Sequence, residues 1–313
     1  PNIDPYNEKF NGLPPSAQID KMIDLAKQEL SDKTSYLIFP ETAIPEAEWE
    51  HTIEYMYATE ELRKLHQIYP NLNIIIGMLS SVFYPDNSNL TSTASPIPGG
   101  GFYDNYNTAL RIDSSSKIDI HHKSKLVLGA EKIPFMKQIP WMKKLSVRLG
   151  GSSGKYGTQK QPTIFSQESG INVGPIICYE SVYGEYVTQY SRLGATVFAI
   201  ITNDGWWGDT PGYKQHLSFA SLRAIENRRS IARSANTGTS AFVNQRGDIL
   251  EPTNWWEDDV IKGELIANEH LTFYAKYGDY LGRSAGFIAP LLLLLTLVKK
   301  LNKTGQRLSI SKR

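Results

Sequence analysis

Three side chains suited to attack on a carbonyl stand at or just beyond predicted strand ends of this 313-residue chain: Glu41, Lys123 and Cys178. Cys178 is the sole cysteine. The stretch 171–177 before it is apolar enough for a buried strand, and Tyr183-Gly184-Glu185 reads as a helix start. The sulfur is therefore expected at a strand-to-helix turn, which lifts a nucleophile out of a sheet and aims the next backbone N–H at its target. A lone cysteine is otherwise most often a small buried hydrophobe, so its partners decide the reading. A thiol is mostly protonated at neutral pH and needs a base or a cation beside it. Glu41 lies in Phe39-Pro40-Glu41-Thr42-Ala43-Ile44-Pro45, directly after a short apolar strand and fixed by flanking prolines. A carboxylate placed so can take the thiol proton, and a lysine can stabilise the thiolate and the oxyanion of a tetrahedral intermediate. Lys123 supplies the lysine, with Lys125 its rival two residues on.

The elements that would position these groups follow from periodicity. Ile19, Met22, Ile23, Ala26 and Leu30 form a helical stripe over 16–30. Residues 36–39, 73–78 and 106–112 read as strands, 54–69 as a helix, and the Ser-, Asn-, Pro- and Gly-rich stretch 85–101 as a loop. Leu126-Val127-Leu128 is a short strand-like piece between Lys123 and Glu131. After Cys178 the pattern predicts a helix to Leu193, a strand over 195–202, a helix over 213–234, and a hairpin over 239–250 that turns at Gln245-Arg246-Gly247-Asp248. Trp206 and Trp207 sit between glycines and are expected to line a pocket mouth. Strands separated by helices predict an α/β domain with the helices outside the sheets.

Composition narrows the function class. Thirty-three basic against 32 acidic residues give a net charge of +1, which points away from a nucleic-acid partner. One cysteine permits no internal disulfide or Cys-based zinc site, and the histidines lack metal-ligand spacing, so no metal and no cofactor is expected. Residues 132–160 interleave basic side chains with Phe135, Trp141, Leu145 and Leu149, a mixture suited to an anionic lipid surface. The apolar run 286–298, extended back to Tyr280, is long enough to span a bilayer, with Tyr274, Tyr277 and Tyr280 as an interfacial belt. The tail 299–313 is basic and without an acid, so it is expected to be cytoplasmic, with the rest of the chain across the membrane. The division expected is a catalytic domain over 1–273, an interfacial segment and transmembrane helix over 274–298, and a tail over 299–313. The start at Pro1, without an initiator Met or signal peptide, reads as a chain entered partway through a domain.

Three pieces carry a family likeness. Phe39-Pro40-Glu41, Lys123-Ser124-Lys125-Leu126-Val127 and Ile177-Cys178-Tyr179-Glu180 resemble the Glu–Lys–Cys motifs of the nitrilase (carbon–nitrogen hydrolase) superfamily. Tyr106-Asn107-Thr108, Leu126-Val127 running to Glu131 and Pro134, and the stretch from Thr202 to Asp209 resemble the apolipoprotein N-acyltransferases within it, as do His216, Arg223, Glu226, Arg229, Arg233 and Asn236-Thr237-Gly238. The resemblance implies a four-layer αββα sandwich, Cys178 as nucleophile, Glu41 as general base and Lys123 as oxyanion stabiliser. It adds Glu131 as a second glutamate near the site, the Tyr179 N–H in the oxyanion hole, and Glu180 in support. It implies a phospholipid acyl donor, a diacylated apolipoprotein acceptor, and a multi-pass protein of the bacterial inner membrane whose catalytic domain is periplasmic. Trp141, Trp206 and Trp207 are the expected substrate contacts. Two departures stand out: Leu128-Gly129-Ala130 replaces the family's Pro-Phe-Gly, and the family's N-terminal membrane helices do not precede the domain. The competing classes are a membrane-anchored amidase or nitrilase using the same triad, and an anchored binding domain without chemistry.

Overall fold

The computed structural model describes residues 12–131, 155–167 and 169–310. The first sheet is built around the antiparallel pair β3 (Asn73–Tyr84) and β5 (Phe102–Ile112), paired from Ile74↔Ile112 to Tyr84↔Phe102. β6 (Ile118–His122) and the short β4 (Ser95–Pro96) pair with β5. β1 (Tyr36–Ile38) and β2 (Ala47–Trp49) both run parallel to β3, at residues 73–75 and 79–81 of it. The second sheet has the order β11 (Ile249–Leu250), β10 (Ala241–Val243), β9 (Ile231–Asn236), β8 (Val197–Asn203), β7 (Val173–Ile177). Its β7, β8 and β9 are parallel, and β10 and β11 close it as an antiparallel edge.

Side-chain alternation stacks these sheets into four layers. Along β8, Phe198 and Ile200 pack toward helices α3 (Gly184–Arg192) and α4 (Pro211–Asn227), while Val197, Ala199 and Ile201 face the first sheet. Along β3, Ile74, Ile76 and Met78 pack under α1 (Pro15–Lys27) and α2 (Tyr57–Ile68), while Ile75 turns inward. Strands apolar on both faces are what a sheet covered by helices on one side and a second sheet on the other requires. Each helix buries one stripe, such as Ile19, Met22, Ile23 and Ala26 of α1.

Two sequence expectations are corrected. The helix expected over 213–234 ends at Asn227, and Ile231–Asn236 is a fully buried central strand. Arg228 takes a left-handed conformation (φ 52°) and its N–H closes on the Ala224 carbonyl. The buried Arg229 then bonds the carbonyls of Ala195, Asn227 and His270. Burial pulls that guanidinium down to about 10. Neither Gly nor Pro marks the reversal, so apolar periodicity runs through it. The strand-like piece at Leu126-Val127-Leu128 is irregular chain with a lone bridge at Leu128; the strand is β6, which stops at His122, just before Lys123.

At the other end, α5 (Phe273–Tyr277) is capped by the Thr272 hydroxyl and leads through Gly278 and Asp279 into α6 (Tyr280–Ile310). Tyr280–Leu301 is long and apolar enough to cross a membrane, at about 33 Å for its 22 residues, and none of it is buried in the protein. That exposure separates it from a core helix of a soluble domain.

Candidate active site

Glu41 sits in the break between β1 and β2, opposite Gly77 of β3. The chain leaves the ladder there and rejoins it: Gly77 N–H donates to the Pro40 carbonyl at 3.1 Å and Ile44 N–H to the Gly77 carbonyl at 3.0 Å. Thr42 has φ 48°. A Cβ on residue 77 would lie 2.6 Å from Thr42 N and 2.7 Å from Glu41 Cα, so only glycine leaves room for this bulge. The Glu41 carboxylate, 4% exposed, points inward. Its Oε1 accepts from Lys123 Nζ at 2.9 Å and Asn107 Nδ2 at 2.7 Å, and its Oε2 from the Asn203 backbone N–H at 2.9 Å.

Lys123 emerges where β6 ends beside β5, its N–H bonded to the Asn107 carbonyl at 2.8 Å. Its ammonium is buried between two carboxylates, at 2.9 Å from Glu41 Oε1 and 2.9 Å from Glu131 Oε1. Burial alone would push that ammonium down, but the Glu131 and Glu41 charges outweigh it and hold it well above the ordinary lysine value. Glu131 is held in turn by Asn107 Nδ2 at 3.0 Å and by the Val127 N–H at 2.8 Å. Lys125 leaves the site and lies over the rings of Tyr186 and Tyr183.

Cys178 follows β7 and opens a 3₁₀ turn, Cys178–Val182, with its own φ at 50°. A non-glycine residue in that region is strained and is held only by its surroundings. Glu180 is one such holder. Its fully buried carboxylate accepts from Ile177 N–H (2.8 Å), Ser124 N–H (2.6 Å) and Tyr186 hydroxyl (3.0 Å). It therefore ties the residue before the sulfur to the residue after Lys123. Burial would raise the Glu180 carboxyl, but His121 and the backbone donors hold it below its ordinary value. Burial pushes the Cys178 thiol far up, the Glu41 charge adds to this, and Lys123 and the Thr202 hydroxyl oppose it. A thiol raised in this way needs an acceptor for its proton when the sulfur attacks, and a carboxylate can serve as one.

A second buried network lies behind the turn. Asp204, just past β8, bonds Arg233 Nη2 of β9 through Oδ2 at 2.7 Å and His216 Nδ1 of α4 through Oδ1 at 2.9 Å. Burial would raise this carboxyl, yet Arg233 and His216 bring it down to about 2. The far nitrogen of His216, Nε2, lies 3.2 Å from the Cys178 carbonyl oxygen and 3.1 Å from Ser181 Oγ.

The structure thus gathers Glu41, Lys123, Glu131, Glu180 and Cys178, drawn from both sheets, into one cluster. Trp207 follows β8 in the 3₁₀ turn Gly205–Trp207 and is 45% exposed. The Trp206 side chain, Trp141 and the segment 132–154 lie outside the described residues. Among the described residues no group of His, Cys, Asp or Glu is arranged to hold a metal. Sequence reasoning quoted Asn107, Thr202 and Asp204 inside motifs without a role, and missed Gly77. A lone glycine inside an apolar strand was the available signal for Gly77.

A family model described as carbon–nitrogen hydrolase matches residues 14–269. The apolipoprotein N-acyltransferase of Chlorobaculum tepidum is 31% identical over 307 residues, 96% of this chain and 56% of that protein. The apolipoprotein N-acyltransferase of Bdellovibrio bacteriovorus is 30% identical over 268 residues, covering 83% and 46%. The chain spans about half the length of these curated relatives. A Saccharomyces cerevisiae member of branch 10 of the nitrilase superfamily superposes with a TM-score of 0.52 at 16% identity, covering 78% of this chain and 82% of that one; the likeness is one of fold.

Proposed function

The chain belongs to the carbon–nitrogen hydrolase family, and on that premise we propose that it is the catalytic part of an apolipoprotein N-acyltransferase. It moves a fatty acyl chain from a membrane phospholipid to the N-terminal amine of a diacylglyceryl-cysteine lipoprotein. The observation that favours this over an amidase with the same residues is the exposed apolar helix Tyr280–Leu301 joined to the cysteine-bearing body. That helix spans the bacterial inner membrane, the basic tail is cytoplasmic, and the site opens on the periplasmic side. Residues 1–273 are the catalytic domain and 274–298 the interfacial and spanning segment.

In the first half-reaction the Cys178 sulfur attacks the ester carbonyl of the phospholipid and its proton passes to Glu41. The oxyanion lies against the Lys123 ammonium and the Tyr179 N–H. Collapse breaks the ester C–O bond, the lysophospholipid oxygen takes the proton back from Glu41, and an acyl thioester remains. In the second half the lipoprotein amine attacks the thioester carbonyl and gives its proton to Glu41. The thiolate leaves and recovers that proton, and the amide product departs. With the thiol raised by burial, Glu41 takes its proton as the sulfur attacks. Trp206, Trp207 and Trp141 contact substrate, and residues 135–149 guide lipid to the site.

Intact-mass measurement after incubation with phospholipid–detergent micelles tests the reading. The expected result is an acyl adduct on Cys178 that neutral hydroxylamine removes. Turnover of a small amide with no adduct from phospholipid would select the amidase instead.

A further inference from the structure

His216 stands outside the proton-transfer cluster, yet its ring ends on the nucleophile's own backbone. The Cys178 carbonyl oxygen accepts from Ser181 Oγ at 2.7 Å and faces His216 Nε2 at 3.2 Å. The Ser181 hydroxyl has a single proton, and the shorter contact takes it to that carbonyl. Nε2 therefore faces acceptors on both sides, the carbonyl and Ser181 Oγ at 3.1 Å, and makes those contacts only as a donor. At the other end of the ring, Nδ1 meets the Asp204 carboxylate at 2.9 Å, with Arg233 Nη2 at 3.4 Å from the same nitrogen. Nε2 is thus the ring's donor toward the nucleophile's backbone.

Charged groups of both signs hold the ring in place. Asp204, from the turn after β8, supplies the negative charge and is shared with Arg233 of β9. Arg233 Nη1 is spent on the Thr239 carbonyl. Arg223, on α4 with His216, is directed away onto the Ser181 and Val182 carbonyls and is paired with Glu226 at 2.9 Å. Cys178 and Ser181 are the groups of the 3₁₀ turn that face the ring. The Asp204 carboxylate is itself seated without slack, since a Cβ on Gly238 would lie 2.4 Å from its Oδ2.

The carbonyl that His216 meets belongs to the Cys178–Tyr179 peptide, and the N–H of that same peptide is the donor assigned above to the oxyanion. A donor on a peptide carbonyl draws electron density through the amide and makes its N–H a stronger donor. It also fixes the plane of a peptide whose Cys178 φ is 50°. We propose that His216, held by Asp204 and Arg233, is a positioning residue that orients and polarises the oxyanion-hole peptide of Cys178. The proposal rests on the reading of Cys178 as nucleophile and Tyr179 N–H as oxyanion donor.

Two reactions of the same sulfur separate this role from mere support of the turn. Acylation of Cys178 by a p-nitrophenyl ester of a short fatty acid passes through an oxyanion, whereas its alkylation by iodoacetamide does not. In the purified chain in detergent, His216→Gln is expected to slow acylation about 10–100-fold, below the loss for deleting a direct oxyanion donor, and to leave alkylation within about 3-fold. Equal loss in both reactions, or no loss in either, overturns the proposal. Should His216→Gln not fold, Ser181→Ala removes the other donor to the same carbonyl and carries the same contrast, with equal losses again overturning it. The ester probe needs no phospholipid. Wild-type protein that acylates with it and never with phospholipid therefore overturns the acyltransferase reading while leaving the His216 test intact.

Discussion

The carboxylate–ammonium cluster of the first sheet and the Asp204–Arg233–His216 chain of the second are alike in burial and in residue types, and they differ in where they end. In the first, one ammonium faces two carboxylates, and the surplus is negative charge. In the second, one carboxylate faces a guanidinium and an imidazole, and the surplus is a donor directed at a backbone carbonyl. Taking a proton and steadying negative charge are opposite electrostatic tasks. Placing them on separate sheets lets each network keep its own sign within a few ångströms of one sulfur.

The sharpest way to break this contrast is to remove the acceptor. Glu41→Gln keeps shape and loses the base, and acyl-adduct formation in single turnover should fall about 10³-fold, within the range for a general base. Asp204→Asn, which weakens only the donor side, should cost about 10-fold by comparison with a direct oxyanion donor. Equal losses would erase the distinction between the two networks.

Stability offers the second contrast. Lys123→Met strands two buried carboxylates and should destabilise by about 3–5 kcal/mol, the usual result of breaking a buried pair on one side. Arg233→Met leaves Asp204 still bonded to His216 and should cost roughly 1–3 kcal/mol. Thermal melts in detergent rank the two, and the reverse order would mean that Arg233 is the deeper anchor.

A smaller effect probes the seat of the base. Gly77→Ala puts a methyl group against the backbone of Glu41 and Thr42. Acylation should drop about 10–100-fold, as expected when a catalytic group moves by the order of 1 Å, while iodoacetamide still reaches Cys178. Unchanged acylation would show that the bulge shifts without moving the carboxylate.

How far the sequence revealed these networks depended on what each acts upon. Glu41, Lys123 and Cys178 declared themselves because each sits at or just beyond a predicted strand end and carries a side chain with its own reactivity. The layered fold was legible for the same reason: the alternation along β3 and β8 is in the residue types. The second network left little trace. Its target is a main-chain carbonyl, which every residue has, and Arg233 lies in a strand that periodicity had joined to the preceding helix. The left-handed turn at Arg228 comes from buried bonds of Arg229 to distant carbonyls, a tertiary cause with no local signature.

The mildest prediction concerns acid. Asp204 is held at about 2 in the folded chain, against about 3.9 when unfolded. A depressed carboxyl contributes stability that is present above about pH 4 and lost as pH falls through about 2, here about 2–3 kcal/mol. Melting temperature against pH should therefore decline over that window, and Asp204→Asn should flatten this part of the decline. A curve of the same slope in the variant would assign the acid loss to other carboxylates.

The joint between α5 and α6 has a geometric consequence. Gly278 and Asp279 alone separate the two helices, Asp279 Oδ1 accepts the Gly282 N–H at 2.8 Å, and Arg283 reaches Glu185 of α3 at 3.6 Å. α3 begins just after the turn that carries Cys178. With a bilayer around α6, as proposed, the height of the sulfur above the lipid headgroups would be set by helix docking rather than by the reach of a tether. On the proposed function, the joint would act as a ruler, selecting esters by their depth in the membrane before any pocket inspects their chemistry.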